Sequence, residues 1–275
     1  MPTSSKSLKP FLKWPGNKYR ITRRIRSKLS PGKRLIEPFT GSAAVFLNTS
    51  YDAYLLADSN PDLINLYKIL VRQGGKFIDY CKRLFIPANN SEDIYYQYRN
   101  EFNVSGDGDR KAALFLYLNR HCYNGLCRYN KKGKFNTPFG LYKQPAFPAR
   151  EMWQFIDAAH NTTFIHASFS ETMQMAGKGD VIYCDPPYAP LSKTAYFTDY
   201  HSEGFKWEDQ VLLANTASKL ADKGIQVVIS NHKTREVCKL YKEAGAKIES
   251  FKVQRHISCN GSNRQKADEI LAVFN

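Results

Sequence analysis

An alternation of strand-like and helix-like patterns that breaks off near Pro61 and resumes near residue 150 constrains this 275-residue chain more than any other feature. The first stretch reads as a strand at Arg34-Leu35-Ile36, a turn at Thr40-Gly41-Ser42-Ala43, a helix start from Ala44 to Asn48, and a strand at Tyr54-Leu55-Leu56-Ala57 ending on Asp58. After the break the pattern predicts helix 150–160, strands 162–166 and 181–184, helix 207–222, strand 225–230, helix 234–244 and strands near 247–253 and 268–273. Such alternation implies a doubly wound sheet. Between the two stretches, helical periodicity gives candidate helices near 62–72, 76–85, 92–102 and 109–121. Asn124 to Lys143 then reads as a β-hairpin turning near Lys131-Lys132-Gly133. The expectation is an α/β fold with a discontinuous domain, 1–60 and 149–275, and an inserted helical and hairpin domain, 61–148.

Within the second stretch, Val181-Ile182-Tyr183-Cys184 is a short buried strand, and it runs into Asp185-Pro186-Pro187-Tyr188. Proline cannot continue a strand ladder, so the strand must stop at Asp185. Pro186 and Pro187 have fixed φ and no N–H, which makes the strand end a stiff segment rich in carbonyl acceptors and poor in donors. A rigid turn would account for the prolines, but not for an acid and an aromatic together. An exocyclic amine of a nucleobase accounts for all four residues. Its N–H groups can be received by the Asp185 carboxylate and the Pro186 carbonyl, and its ring can stack on Tyr188. Hydrogen bonds to both N–H groups draw the nitrogen toward tetrahedral geometry, which points to methyl transfer.

In an open α/β sheet, ligands sit beyond the carboxyl ends of the strands. The turn Glu37-Pro38-Phe39-Thr40-Gly41, Asp58, Asp185 and Ser230-Asn231-His232 all fall at predicted strand ends. The glycine turn lets backbone approach a cofactor, and Asp58, 17 residues after Gly41, can accept from ribose hydroxyls. Gly41 to Phe46 supplies one glycine of the three in a dinucleotide fingerprint, so NAD is not expected.

Forty Lys and Arg against 25 Asp and Glu leave a formal charge of +15, the balance of a protein that meets polyanions, with nucleic acid as the leading partner. Six cysteines show no C-x-x-C pair and no cysteine-histidine cluster, so neither a zinc site nor a disulfide framework is expected. No window approaches the roughly 20 apolar residues of a membrane span, and the polar first ten residues lack a signal-peptide core. The default location is the cytoplasm, with no membrane partner.

Phe11-Leu12-Lys13-Trp14-Pro15-Gly16-Asn17-Lys18, Glu37-Pro38-Phe39-Thr40-Gly41-Ser42, Tyr123-Asn124-Gly125-Leu126-Cys127-Arg128-Tyr129-Asn130 and Asp185-Pro186-Pro187-Tyr188, in that order, resemble the S-adenosylmethionine-dependent DNA adenine-N6 methyltransferases of the Dam type. The similarity runs from about residue 10 to 274. It implies a Rossmann-like class I methyltransferase sheet with an inserted helical and β-hairpin DNA-recognition domain, acting as a monomer on double-stranded DNA without a metal. By the same resemblance Trp14, Lys18, Glu37, Phe39, Gly41, Asp58 and Asp185 hold S-adenosylmethionine, and Lys18 pairs with its carboxylate. Arg128 reads a guanine of a GATC site, Lys13 is a further base contact, Leu126 and Pro138 touch thymine, and Tyr123 and Asn124 enter the duplex beside a flipped adenine. Arg99, Arg120, Asn130, Asn136 and Lys143 meet the DNA backbone. Thr194 to Phe205, with Tyr196, Phe197 and Tyr200, is expected to be a mobile loop near the flipped base. His201 and His232 take structural or substrate-shaping roles. Two departures stand out: Ala43 replaces a second glycine that members often have, and Leu141 stands where the family can show an arginine.

A cytosine-N4 methyltransferase shares the amine chemistry but more often has Ser in place of Asp185. A protein-glutamine methyltransferase begins its tetrapeptide with Asn and needs no basic insert. A DNA-binding regulator without catalysis would not need Asp58, Asp185 and Tyr188 intact.

Overall fold

The computed structural model describes residues 7–189, 205–254 and 266–275. Tyr196, Phe197, Tyr200 and His201 lie outside the described residues; Phe205 is inside them. The chain divides into two compact units: one comprises Met1–Arg26, Thr40–Ser50 and Asp58–His166, the other Ser27–Phe39, Tyr51–Ala57 and Ala167–Asn275.

The second unit contains the strands β1 (Arg34–Glu37), β2 (Ala53–Asp58, whose last residue opens the next segment of the first unit), β4 (Asp180–Cys184), β5 (Gln226–His232), β6 (Lys247–Gln254) and β7 (Lys266–Phe274). They run in the order β2-β1-β4-β5-β7-β6. Neighbours are parallel from β2 to β5, and β7 is antiparallel to both β5 and β6. Parallel strands covered on both faces are continuous apolar runs, and Val181 to Cys184 are all buried. Register places Ile36 beside Ile182 and Cys184 beside Ile229, so β1, β4 and β5 end at one edge of the sheet. Helices α7 (Phe169–Gln174), α8 (Trp207–Ala221) and α9 (Arg235–Glu243) complete this unit. α8 turns Gln210, Leu213, Ala214, Ala217 and Leu220 inward, a helical stripe with one amide in it. Arg34 Nε and Nη2 meet the two carboxylate oxygens of Asp180 at 3.1 and 2.6 Å, fastening the starts of β1 and β4 together.

The first unit holds α1 (Thr22–Arg26), α2 (Pro61–Gln73), α3 (Gly75–Lys82), α4 (Glu92–Val104), α5 (Gly108–His121), α6 (Ala149–Ala158) and strand β3 (Thr162–His166). α2 starts where Pro61 follows Asn60, whose side chain accepts from Asp62 and Leu63 N–H at 3.0 and 3.1 Å. α5 is buried continuously from Ala112 to Asn119, as a helix that is apolar all round must be. Tyr67, Phe155, Phe164 and Phe11 form an aromatic core, with Tyr67 stacked on Phe155 at 4.7 Å.

Two local expectations change. Ala44 to Asn48 does not start an α-helix; only the 3-10 turn Phe46–Asn48 forms. The side chains of Asn48 and Thr49 take the carbonyls of Ala44, Val45 and Phe46, and Asn48 also holds Leu8, so side chains compete with the helical ladder and stop it. The hairpin turns at Asn130 to Lys134 as expected, but its arms meet at isolated bridges, Tyr129 with Phe135 and Cys122 with Phe139. Pro138 has no N–H to give, and the Thr137 hydroxyl instead takes the Leu126 carbonyl at 2.7 Å. The short helices α1 and α7 have no counterpart in the sequence expectations; α7 carries a capping box between Ser168 and Glu171. The five described cysteines are free thiols, and no helix of the described residues is long and apolar enough to cross a membrane.

Ala43 is fully buried at φ +59°, in the left-handed region where a β-carbon is strained. Replacing it with glycine, which usually destabilises a folded chain, should here raise stability by about 0.5–1 kcal/mol. Denaturant melts of wild type and Ala43→Gly check this; a loss of stability would mean that the methyl group's packing outweighs the strain.

Candidate functional site

In the second unit the candidate residues gather at the end of β4. With two prolines following Asp185, the turn lacks two successive backbone donors, and α8 and β5 hold it by side chains. Ser230 Oγ donates to Asp185 Oδ1 at 2.8 Å, and the Tyr183 hydroxyl meets Ser230 Oγ at 3.0 Å. If the single serine proton goes to the carboxylate, Tyr183 must donate to Ser230, giving the chain Tyr183 to Ser230 to Asp185. Gln210 Nε2 donates to the Pro187 carbonyl at 3.0 Å, and Asn231 Oδ1 accepts from Ala189 N–H at 3.2 Å. Asn231 and Gln210 are joined at 3.0 Å and both bond the Tyr241 hydroxyl, in a network where all three side chains are buried. The ring of His232 donates to the Ala189 carbonyl at 2.9 Å through Nδ1, since a carbonyl can only accept, and it stands edge-on to Tyr188 at 4.6 Å. Tyr188 donates to Glu269 Oε2 at 3.2 Å. Burial, followed by the nearby Asp185 charge, pushes the phenols of both Tyr183 and Tyr188 far above their usual range, so both remain donors. Pro186 is buried and Pro187 exposed.

At the end of β1, Glu37 is buried and Phe39 half-buried. Phe39 stacks on Phe169 at 5.4 Å and meets Phe205 edge-on at 5.5 Å, so three rings form one aromatic group.

The first unit gathers Trp14, Gly41 and Asp58. Gly41 has φ +47°, and a β-carbon there would lie 2.8 Å from Trp14 Nε1, so the indole packs directly on glycine backbone. Asp58 Oδ2 accepts from Gly41 N–H at 2.9 Å and Oδ1 from Asn60 N–H at 3.0 Å. Burial raises the Asp58 pKa, and these two N–H groups and His166 offset only part of the rise. Each carboxylate oxygen keeps a second lone pair for another donor. Tyr67 donates its hydroxyl to the Gly41 carbonyl at 2.6 Å, fixing the turn from its other side. Lys18 is buried and donates to the Gly16 carbonyl at 2.6 Å.

The same unit carries the residues expected at DNA. Arg128 is exposed, and its Nε donates to Asn136 Oδ1 at 2.8 Å, which aims the guanidinium. Tyr123 is exposed, Asn124 sits at φ +53°, and Asn124 N–H donates to the Tyr142 hydroxyl at 3.0 Å. Lys13 Nζ donates to the Arg120 carbonyl and stands 3.9 Å from the Tyr142 ring centre; burial and then Arg120 lower its pKa. Pro138 and Lys143 are exposed and Leu126 is half-buried. Asn130 spends its side-chain oxygen on Lys132 and Lys134 N–H, closing the hairpin turn. Arg120 donates to the Ala146 carbonyl at 3.0 Å, and Arg99 donates to the Thr137 carbonyl at 3.2 Å while lying over Tyr96. Both arginines brace the unit from within. Leu141 is 81% exposed at φ +54°.

The sequence pattern of the D12 class N6 adenine-specific DNA methyltransferases matches residues 14–257. The chain is 49% identical over 270 residues to a DNA adenine methylase of Vibrio cholerae, covering 98% of this chain and 97% of that one. It is 48% identical over 269 residues to the DNA adenine methylase of Escherichia coli (strain K12), covering 98% and 96%. The chain belongs to the D12 class of N6 adenine-specific DNA methyltransferases. A DNA adenine methylase of Serratia marcescens is 48% identical over 270 residues, covering 98% of this methyltransferase and 99% of that one. A solved precorrin-6y C5,15-methyltransferase from Geobacter metallireducens aligns at TM-score 0.40 and 10% identity, over 94% of this chain and 87% of that one, too slight a likeness to bear on the fold.

Four positions that brace candidate residues within one or the other unit were not singled out from sequence: Gln210, Tyr241, Tyr67 and Asn119. Asn119 is fully buried in α5 and bonds both the N–H and the carbonyl of Lys13, at 2.9 and 2.7 Å, as a neighbouring strand would. A polar residue inside an apolar helix is the one signal that could have marked it. Gly41→Ala drives a methyl group into Trp14, so the indole must move. The variant should change the intrinsic tryptophan emission and lose roughly 1–3 kcal/mol of stability by overpacking; unchanged emission and stability would show that the turn relaxes freely.

Proposed function

We propose that the chain transfers a methyl group from S-adenosylmethionine to N6 of adenine within GATC in double-stranded DNA, after flipping the target base. The observation that carries the reading is the Asp185 carboxylate, held at one oxygen by Ser230 on a turn whose backbone Gln210, Asn231 and His232 pin. An adenine amine is a poor nucleophile because its lone pair is delocalised into the ring. Asp185 and the Pro186 carbonyl accept its two N–H groups and aim the lone pair, and Asp185 stabilises the positive charge that develops on nitrogen. The Tyr188 ring stacks on the base. Pro187, fixed at its carbonyl by Gln210, keeps the acceptors in place. The product ammonium loses its proton without a strong base.

S-adenosylmethionine, when bound, supplies an electrophilic methyl carbon. The donor set suits it: Asp58 offers acceptors for ribose hydroxyls, Lys18 a cation for a carboxylate, and Gly41 a turn without a side chain against Trp14. Glu37 and Phe39 are assigned to the same cofactor. No metal is assigned, and the enzyme is assigned to the cytoplasm as a monomer. The catalytic part is 1–60 with 149–275 and the recognition part 61–148.

Flipping follows from access, because an amine stacked inside a duplex cannot present its lone pair to the half-buried Asp185 at a strand end. Tyr123 and Asn124, on a strained exposed turn, are assigned to enter the duplex. Arg128 reads guanine and Lys13 touches a base; Leu126 and Pro138 meet thymine. Lys143 and Asn130 meet phosphate, and Arg99 and Arg120, which also brace the unit, contribute at its edge. Asn136 serves the readout by orienting Arg128.

Plasmid DNA incubated with S-adenosylmethionine and purified protein, then subjected to methylation-sensitive digestion and nucleoside mass spectrometry, tests the reaction and its sequence. Asp185→Ala should abolish methyl transfer while duplex binding persists; near-normal single-turnover methylation would end the catalytic assignment. Arg128→Ala should cost roughly 1–3 kcal/mol of discrimination at one base pair. Asn136→Ala should relax the same position by less. Lys143→Ala should weaken all sequences alike and reduce the salt slope of binding by about one. Rates on GATC and each single-base variant measure all three, and a uniform loss for Arg128→Ala would make it a phosphate anchor instead.

A further inference from the structure

Before Glu37 the chain carries eleven Lys and Arg and no acid, whereas the segment 61–148, to which recognition is assigned, carries fourteen against seven. The densest positive charge therefore lies outside the insert. Some of it has internal partners: Lys18 bonds Gly16, Arg34 pairs with Asp180 and Lys28 with Glu249. What stands out is α1 and the turn before it, where Arg20, Arg23, Arg24 and Arg26 are all exposed.

The arrangement has a definite face. Thr22 and Ile25, 3% and 0% exposed, point into the unit. Arg20, Arg23 and Arg24, spaced three and four residues apart, point away from it, and Arg26 flanks them. Among the described residues Arg20, Arg23 and Arg26 make no ion pair. Like charges at this spacing repel one another. That penalty is relieved by negative charge from outside the chain.

We propose that this arginine face of α1 is a second DNA-contacting surface, which grips the phosphate backbone without reading bases. A duplex presents one negative charge per roughly 1.7 Å of its axis, so several guanidinium groups on one face can each find a phosphate. Arginine also bonds phosphate oxygens in pairs. The inference rests on DNA as the family's substrate and is independent of the GATC assignment. Its role is sequence-independent retention on DNA outside the target site.

The test uses the full-length chain with Arg20→Gln, Arg23→Gln and Arg26→Gln combined. Binding is measured over a salt series on two duplexes, one containing GATC and one with those four bases shuffled, and on vesicles of anionic phospholipid. The expected result is a fall in the log-affinity versus log-salt slope of roughly two to three, about 0.9 per lost phosphate contact, equal on both duplexes. Single-turnover methylation at low salt and saturating DNA keeps the wild-type rate, which also shows that the variant is folded. An unchanged slope on both duplexes overturns the proposal, as does a change confined to one duplex. Loss of vesicle binding with the DNA slope intact would assign the face to a lipid surface and overturn it too. Whether wild type prefers GATC is read from its own affinities for the two duplexes, so failure of the target assignment stays distinct from failure of this one.

Discussion

A proline has no N–H, and from that single lack follows most of how this methyltransferase holds its reactive turn. A strand end is ordinarily fixed by ladder bonds to its neighbours, but Pro186 and Pro187 end the ladder at Cys184. The segment must then be fixed by side chains from elsewhere. Parallel pairing brings the end of β5 alongside the end of β4, and there Ser230, Asn231 and His232 take the carboxylate, the Ala189 N–H and the Ala189 carbonyl in turn. α8 adds Gln210 on the Pro187 carbonyl. The result is a polar network with buried members, Gln210, Ser230, Asn231 and Tyr241, a kind that rigidifies a site when every member is satisfied.

The strands, the long helices and the stop at Asp185 were legible in sequence because each rests on a local rule, hydrophobic period or proline. In the structure the side chains of Asn60 and Ser91 cap α2 and α4. Gly41 and Asp58 were legible as a turn and an acid, but their direct hydrogen bond spans 17 positions and no local rule announces it. Gln210 was hidden in the same way. Period places it on the inward stripe of an amphipathic helix, but its partner Pro187 lies 23 residues away, and no local rule announces that bond. The failed helix at Ala44 to Asn48 shows the opposite error, where propensity was read without the carbonyls that Asn48 and Thr49 would claim.

The first unit repeats this economy of backbone bonds. Its hairpin is fastened at isolated bridges, and side chains supply the rest: Thr137 on Leu126, Asn130 on Lys132 and Lys134, Asn103 on both N–H and carbonyl of Phe135. Asn119 does the same for Lys13 from inside α5. A loop fixed by side chains can carry left-handed residues such as Asn124 and Leu141 that a regular ladder would exclude. It can also present Arg128 already aimed by Asn136.

The dependence of the Asp185 turn on β5 and α8 has a consequence for inheritance. Substitutions in Asp185 to Ala189 and in Gln210, Ser230, Asn231 or Tyr241 share partners, so their effects should be non-additive, each tolerable change in one set altering which changes the other permits. The tetrapeptide is therefore not a portable module. Grafted onto a sheet whose adjacent strand lacks the serine and asparagine, it would arrive as a stiff bend with its carboxylate unaimed. Lineages exploring other amines must vary both segments in concert.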